Sequence, residues 1–180
     1  MIDEFKQFIS EHLKSSGYQV TDQPNLPGLR GILFAKSSTK IKTGFSKSIN
    51  YYFFTDWDYD LLRRTDQLKQ AYQTLSKVVN QDFKVARGWR MTIPNIVLAV
   101  VTTESFDEQA IRYALYEYQS PFIGGEVGQT ILFDLQKQDM YSYYPYGYRQ
   151  PGSIPLGLAS GELWNLFHGF MPHGRSIQRQ

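Results

Sequence analysis

The chain has 180 residues, of which 42% are hydrophobic and 20% charged, and its formal net charge is +2. Cysteine is absent, which excludes disulfides, thiol nucleophiles and thiolate metal sites. The longest apolar stretch, IVLAVV at 96–101, is too short to cross a membrane, and the opening MIDEFKQF has no signal-peptide pattern. We therefore expect a soluble, cytoplasmic globular protein with an aromatic-rich core.

Hydrophobic periodicity and turn residues predict a succession of helices and strands along the chain. The first helix places Phe5, Ile9 and Leu13 on one side and ends before Gly17, which suits the left-handed position after a helix. The later elements are predicted as strands at 18–21, 30–36 and 49–57, a helix at 58–80, a strand at 93–103, a helix at 106–118, strands at 130–136 and 140–144, and a helix at 160–170.

The apolar strands predict the fold class. INYYFFTDW at 49–57 and IPNIVLAVVTT at 93–103 are almost continuously apolar, which is typical of strands buried on both faces, and the second is the candidate central strand. We predict an α/β or α+β fold: a single mixed β-sheet of about five to six strands with helices packed on it, and a β-hairpin near the C-terminus. Residues 1–170 are predicted to form a single globular domain, and 171–180 a flexible C-terminal tail.

Serine residues are predicted to cap two of the helices. Ser105 and Glu108 have the spacing of a capping box, in which each side chain accepts a hydrogen bond from an exposed backbone amide at the helix start. Ser160 is predicted to cap the last helix, because a side-chain hydroxyl can bond the free amides of the first turn.

The stretch DWDYD carries alternate carboxylates, Asp56, Asp58 and Asp60, which is how a calcium-binding EF-hand loop begins. Such a loop then requires glycine at its sixth position and glutamate at its twelfth, where this chain has Leu61 and Gln67, so an EF-hand is excluded. Asp56 and Asp58 still form a candidate magnesium site at the end of a buried strand. The alternative is that Asp58 caps the following helix.

The order of the first elements (helix, three strands, helix, strand) resembles the core of the restriction-endonuclease-like nucleases. Those enzymes hold Mg²⁺ with an acidic residue and a later Asp/Glu-x-Lys on one strand, and the strand INYYFFTDW has no lysine. The nearest candidate catalytic set is Glu126, Asp134 and Lys137, but Asp134 and Lys137 are three residues apart, so a regular strand points them to opposite faces. The resemblance implies, as an alternative function, a Mg-dependent nuclease-like enzyme or its inactive descendant.

The segment DMYSYYPYGYRQPGS at 139–153 contains five tyrosines, and Pro145 ends the strand within it. Tyr146, Tyr148 and Arg149 are therefore predicted to lie on a loop, where rings and a planar guanidinium suit recognition of a nucleobase or of another protein. The alternative is that these rings fold back over the edge of the domain.

A second candidate surface is the stretch ARGWRM, in which Arg87, Trp89 and Arg90 combine positive charge with a large ring just before the central strand. Residues 30–90 carry twelve Lys or Arg against five Asp, whereas residues 101–150 carry three against seven Asp or Glu. This asymmetry predicts a basic face for an anionic partner. The alternative is an ordinary solvated surface.

These patterns favour a non-enzymatic binding or accessory protein that acts through aromatic and basic loops on a protein or nucleic-acid partner. A homodimer is also expected, because twofold assemblies are common and sheet edges need cover. No cofactor is predicted; magnesium enters only through the alternative nuclease function.

Overall fold

The fold is that of a computed structural model, which describes residues 1–22, 25–26, 29–37, 41–43, 46–56, 65–82, 92–116, 127–143 and 153–179. These residues form four helices and nine strands. The helices are α1 (Ile2–Ser15), α2 (Thr65–Asp82), α3 (Glu108–Tyr116) and α4 (Ser153–Phe170). The strands are β1 (Tyr18–Asp22), β2 (Asn25–Leu26), β3 (Leu29–Ser37), β4 (Ile41–Thr43), β5 (Ser46–Asp56), β6 (Thr92–Thr102), β7 (Val127–Asp134), β8 (Asp139–Tyr143) and β9 (Arg175–Arg179).

One mixed sheet runs through the molecule in the order β1-β3-β5-β6-β7-β8-β9, with β2 paired beside β3 and β4 beside β5. The strands β1, β3 and β5 pair antiparallel, β5, β6 and β7 pair parallel, and β8 is antiparallel to β7 but parallel to β9. The predicted α/β class, the mixed sheet and the hairpin are confirmed. The main order has seven strands instead of the five to six expected.

Helices cover both faces of the sheet and give three layers. The apolar residues of α2 and α3 pack on one face in a cluster with Tyr51, Leu98 and Leu132. Those of α1 and α4 pack on the other face in a cluster with Phe54 and Val97. The stretch 96–101 of β6 is fully buried, and alternate residues belong to the two clusters. This position explains its continuous apolar sequence and confirms it as a central strand.

The first helix ends as its sequence predicts. Gly17 has a φ of 83°, in the left-handed region that glycine adopts without a steric penalty. Its N–H donates to the Lys14 carbonyl at 3.0 Å, and the Ser16 N–H donates to the His12 carbonyl at 3.0 Å. These bonds satisfy carbonyls that the last helical turn leaves open, so the chain can turn directly into β1.

Two predicted helix starts are wrong. Asp107, directly before α3, accepts a hydrogen bond from the Ala110 N–H through Oδ1 at 2.6 Å, whereas the Ser105 hydroxyl donates to Gln136 Oε1 at 3.2 Å. Asp107 therefore caps this helix, because a capping oxygen must sit one residue before the first helical one. The last helix begins at Ser153 and not at Ser160, and it tolerates Pro155 because first-turn amides need no helical partner.

The predicted flexible tail contains β9, which pairs parallel with β8 from Asp139↔Arg175 to Tyr143↔Arg179. Its start is fixed by a bidentate ion pair in which Arg175 Nε and an Nη donate to the two oxygens of Asp139 at 2.9 and 3.0 Å. The partner of this segment lies 36 residues earlier in the chain. The pattern of the last ten residues alone therefore does not predict this strand.

Candidate functional site

A row of polar side chains crosses the face of the sheet that α1 and α4 cover. Tyr18 of β1 pairs with Ser37 of β3, and Asn50 of β5 pairs with Asn95 of β6. The Ser37 hydroxyl accepts a hydrogen bond from the backbone N–H of Asn50 at 3.0 Å, which joins the two pairs. All four residues are buried, although the strands around them are apolar. Buried polar groups are usually hydrogen-bonded, and these side chains bond one another.

Glu162 of α4 gathers this row into one network. Its Oε2 accepts hydrogen bonds from the hydroxyls of Tyr18 at 2.7 Å and Tyr52 at 2.5 Å, and from Asn50 Nδ2 at 3.5 Å. Asn50 Nδ2 also donates to the Tyr52 hydroxyl at 3.0 Å, and Asn95 Nδ2 donates to Asn50 Oδ1 at 3.0 Å. A continuous chain of hydrogen bonds therefore runs from Asn95 in β6 to Glu162 in α4.

Burial raises the pKa of Tyr52 well above that of a free tyrosine, and the nearby Glu162 carboxylate raises it further. Burial is also the main reason that the pKa of Tyr18 is raised, although the hydrogen bond with Tyr52 opposes the change. Both hydroxyls therefore stay protonated at physiological pH and remain donors to Glu162. Among the residues that the structure describes, no lysine, arginine or histidine forms an ion pair with Glu162.

The network lies near one end of the sheet, which we call the upstream end: the end at which β6 and β7 begin and toward which β8 runs. In register, Asn95 is level with Val127, the first residue of β7, and Ser142 is level with Ile131. Segments 83–91 and 117–126 join the sheet at this end, at Thr92 and Val127, whereas segment 144–152 joins it at Tyr143, next to Ser142, which is level with Ile131 and Ala99.

The last turn of α2 is anchored on the opposite face of the same end. Lys36 Nζ lies 2.6 Å from Asp82 Oδ2, the Tyr51 hydroxyl donates to that oxygen at 3.0 Å, and the ammonium sits 5.9 Å from the centre of the Tyr51 ring. Asp82 is the last residue of α2 and directly precedes segment 83–91. Segment 83–91 is therefore joined to the described chain at Asp82 and at Thr92.

We call the opposite end of the sheet the downstream end. Local hydrogen bonds join the ends of β6 and β7 there. Asp134 is fully buried, and its two oxygens accept the backbone N–H groups of Lys137 at 2.8 Å and Phe106 at 3.1 Å. Lys137 Nζ donates to the Phe106 carbonyl at 3.1 Å. The Leu135 N–H donates to the Thr102 carbonyl at 2.9 Å. The Asp134 carboxylate and these backbone amides therefore stabilise the turn after β7 and the segment between β6 and α3.

The geometry of β7 bears on the candidate set Glu126, Asp134 and Lys137. Glu126 lies outside the described residues, and it is bonded directly to Val127 at the upstream end. Val127 and Asp134 are the two ends of one strand, about 23 Å apart at the usual rise per residue. This separation argues against one metal ion held by Glu126 and Asp134, and both Asp134 oxygens already accept backbone hydrogen bonds.

The other candidate metal ligands are Asp56 and Asp58. Asp56 is exposed at the end of β5, and Asp58 lies outside the described residues. Within the part of the chain that the structure describes, no group of three or more histidine, aspartate or glutamate side chains is arranged to hold a metal ion.

The candidate binding residues of both loops lie outside the described residues. They are Arg87, Trp89, Arg90, Tyr146, Tyr148 and Arg149. What the described chain fixes is where their segments join the sheet, at Thr92 and Tyr143. Their role remains a prediction.

The sequence predictions overlooked the Glu162 network, although a signal for it was present. Glu162 follows the helical spacing of the buried Leu163, Leu166 and Phe167 closely enough to lie beside their stripe. Asn50 stands inside a strand that is otherwise almost fully apolar, as does Asn95. A carboxylate beside an apolar helix stripe and amides inside buried strands together indicate a shared polar cluster.

No protein-family model, curated protein or solved structure matches the chain. In the described residues, none of the helices is both long enough and apolar enough to span a bilayer.

Proposed function

We propose that the protein is a non-enzymatic binding protein that contacts its partner through the upstream end of the sheet. The observation that carries this proposal is the direction of three strands: β6 and β7 begin at this end, and β8 runs toward it and finishes level with the middle of β6. The candidate residues of segment 83–91 precede the start of β6, and those of segment 144–152 follow the end of β8. Loops on a rigid sheet are the usual carriers of binding residues.

The positions of the strand termini favour an extended partner. Thr92 and Tyr143 are two strands apart, about 10 Å across the sheet. Along the strands, Tyr143 is level with Thr130 and hence with Leu98, which lies six residues or about 20 Å from Thr92. A partner that contacts both segments close to these two termini would extend over about 20 Å, as a polymer does.

The composition of the two segments favours single-stranded nucleic acid as that polymer. FKVARGWRM at 83–91 has three basic residues and no acidic one, and YPYGYRQPG at 144–152 has three tyrosines, one arginine and no acidic residue. Rings of this kind stack on nucleobases, and guanidinium groups pair with phosphates. Segment 117–126 contributes Glu117 and Glu126, so positive charge at this end comes from the other two segments.

The test is a fluorescence-anisotropy titration of a labelled single-stranded oligonucleotide of about 12 nucleotides. With three arginines on phosphates, we expect affinity to fall on the order of tenfold between about 50 and 200 mM salt. The variant with Trp89 and Tyr146 replaced by alanine should bind more weakly at both salt concentrations, whereas replacement of the exposed Arg112 on α3 should not matter. Absence of binding by the wild-type protein at low salt would reject nucleic acid as the partner.

The same samples test two other expectations. A magnesium-dependent nuclease, the alternative function, predicts that the oligonucleotide is shortened in Mg²⁺ and intact in EDTA, which gel electrophoresis detects. A homodimer would pair or cover the outer strands of the main order, β1 and β9, and light scattering measures the mass.

A further inference from the structure

We propose that two copies of the chain associate about a twofold axis through the edge of β1 and one side of α1. This interface consists of residues that the structure describes, and it is independent of the proposed binding of nucleic acid. It gives the expected homodimer a defined contact surface on each copy.

The strand β1 lies at one end of the main strand order, and β3 is the one strand that pairs with it among the described residues. An edge strand presents backbone N–H and C=O groups that can pair with another strand, and proteins usually pair or cover such an edge. Gln19, Thr21 and Asp22 of β1 are exposed, and Val20 is only partly buried. A second copy of β1 would extend the sheet at this edge.

The helix α1 lies at the same border of the molecule. On one side, the rings of Phe5 and Phe8 contact Phe170 of α4, with centroids 5.0 and 5.4 Å apart. Another side of α1 lines an open groove of about 450 Å³ together with Asp22 of β1. The groove residues of α1 recur at intervals of three and four, so they form one stripe along the helix. They are Asp3, Lys6, Gln7, Ser10, Glu11 and Lys14.

One symmetry operation brings both surfaces together. A twofold axis perpendicular to the sheet places β1 antiparallel to the β1 of the second copy. Because α1 packs on the face of the same sheet, the operation also places α1 antiparallel to the second copy's α1. The groove would then lie between the two helices, above the paired strands.

The charges along the stripe are self-complementary in this arrangement. When the axis passes the middle of the stripe, Asp3 lies opposite Lys14 of the second copy, and Lys6 lies opposite its Glu11. The symmetry repeats each contact, which gives four pairs of opposite charge and no pair of like charge at these positions. Complementary charges of this kind fix the register of an interface and exclude other partners.

The four charged residues of the stripe have no ion-pair partner among the described residues of a single chain. Glu11 accepts a hydrogen bond from Gln7 Nε2 at 3.0 Å, which leaves its charge uncompensated. Gln7 would lie opposite Ser10 of the second copy, so the middle of the stripe is polar and uncharged. One exposed ion pair contributes little, whereas four pairs beside an extended sheet act together.

Two double variants test this charge pattern, because every proposed pair contains one lysine and one carboxylate. Lys6→Glu with Lys14→Glu makes the charges of the stripe entirely acidic, and Asp3→Lys with Glu11→Lys makes them entirely basic. Either variant alone places like charges opposite each other at all four contacts. An equimolar mixture of the two restores four contacts of opposite charge.

The measurement is the mass in solution by light scattering. We expect the wild-type protein to have twice the 20.9 kDa mass of one chain, and each double variant to dissociate with a constant at least about a hundredfold higher. The mixture should return to the mass of a dimer. The control is Lys69→Glu with Lys77→Glu, which makes the same change in net charge at exposed positions of α2 with the spacing of Lys6 and Lys14, and it should remain a dimer.

Three results would overturn the proposed interface: a wild-type monomer at about 0.1 mM chain, a dimer that persists in both double variants, or variants that stay monomeric when mixed. Circular dichroism checks that each variant folds. Lys14→Glu mixed with Asp3→Lys repeats the test with single changes at exposed positions, because residues 3 and 14 form one of the proposed contacts. The oligonucleotide titration is a separate measurement, so either proposal can fail while the other stands.

Discussion

Arg175→Met tests whether one ion pair holds the last strand on the sheet. Arg175 donates two hydrogen bonds to Asp139, at 2.9 and 3.0 Å, and the Tyr141 hydroxyl donates a third at 3.2 Å. The Asp139 side chain is only 2% exposed, whereas that of Arg175 is 71% exposed. The substitution keeps an unbranched side chain of similar length but leaves a buried carboxylate without its cation.

The expected cost lies between two limits. Removing one member of a fully buried ion pair costs about 3–5 kcal/mol, and exposed pairs contribute about 0–1 kcal/mol. This pair joins a buried anion to a solvated cation, and solvent screens the guanidinium, so we expect a loss of about 2 kcal/mol in the free energy of unfolding. Asp139→Asn in the Arg175→Met background should recover part of this loss, because the remaining group is then uncharged.

Urea denaturation measures the stability of the two single variants and of the double variant, and hydrogen exchange over residues 175–179 measures the attachment of β9. We expect those amides to lose protection in Arg175→Met even under native conditions, because β8 is the one strand that pairs with β9 among the described residues. Arg112→Met on α3 is the control for loss of an exposed arginine. Unchanged protection of β9, together with a stability change below about 0.5 kcal/mol, would refute this explanation of the strand.

The remaining predictions concern stability. The raised pKa values of Tyr18 and Tyr52 mean that the folded state holds both phenolic protons more tightly than the unfolded state does. Their contribution is complete below pH 10 and falls by up to about 1.4 kcal/mol per pH unit per phenol above it, so Tyr52→Phe should make this slope shallower in urea titrations. Gly17→Ala should cost about 1–2 kcal/mol because of its positive φ, and calorimetry would detect it as a lower Tm. Asp107→Ala should lower the free energy of unfolding by about 1 kcal/mol, and Ser105→Ala by less than about 0.5 kcal/mol. A larger loss in Ser105→Ala would instead support the capping box that the sequence predicts.

The parts of the fold that were predicted correctly depend on local patterns. The first helix follows from the spacing of Phe5, Ile9 and Leu13 and from the glycine after it, and all of these lie within one short window. The central strand follows from a run of apolar residues that only burial on both faces explains. In each case the residues that determine the structure are neighbours in sequence, so periodicity alone identifies the element.

The parts that were missed depend on residues far apart in sequence. The strand β9 pairs with β8, and Arg175 bonds Asp139, which lies 36 residues earlier, so nothing within 171–180 indicates this partner. The Glu162 network joins residues up to 144 positions apart, so its members look like isolated polar residues until the strands are in register. The start of α3 was missed for a different reason: Ser105 and Asp107 are both good capping residues, and only the position of the first helical turn distinguishes them.

The two ends of the sheet differ in how much of their polar chemistry is already used. In open parallel sheets, ligands usually bind beyond the carboxyl ends of the strands, at a point where the strand order reverses. Here β5, β6 and β7 follow one another in order, and α2 and α3 pack on the same face, so these three strands contain no such reversal. The carboxyl ends of β6 and β7 are joined by the hydrogen bonds around Asp134 and Leu135. The opposite end has a buried network beneath it, and segments 83–91 and 117–126 join the sheet there, which is why the proposed binding surface lies at that end.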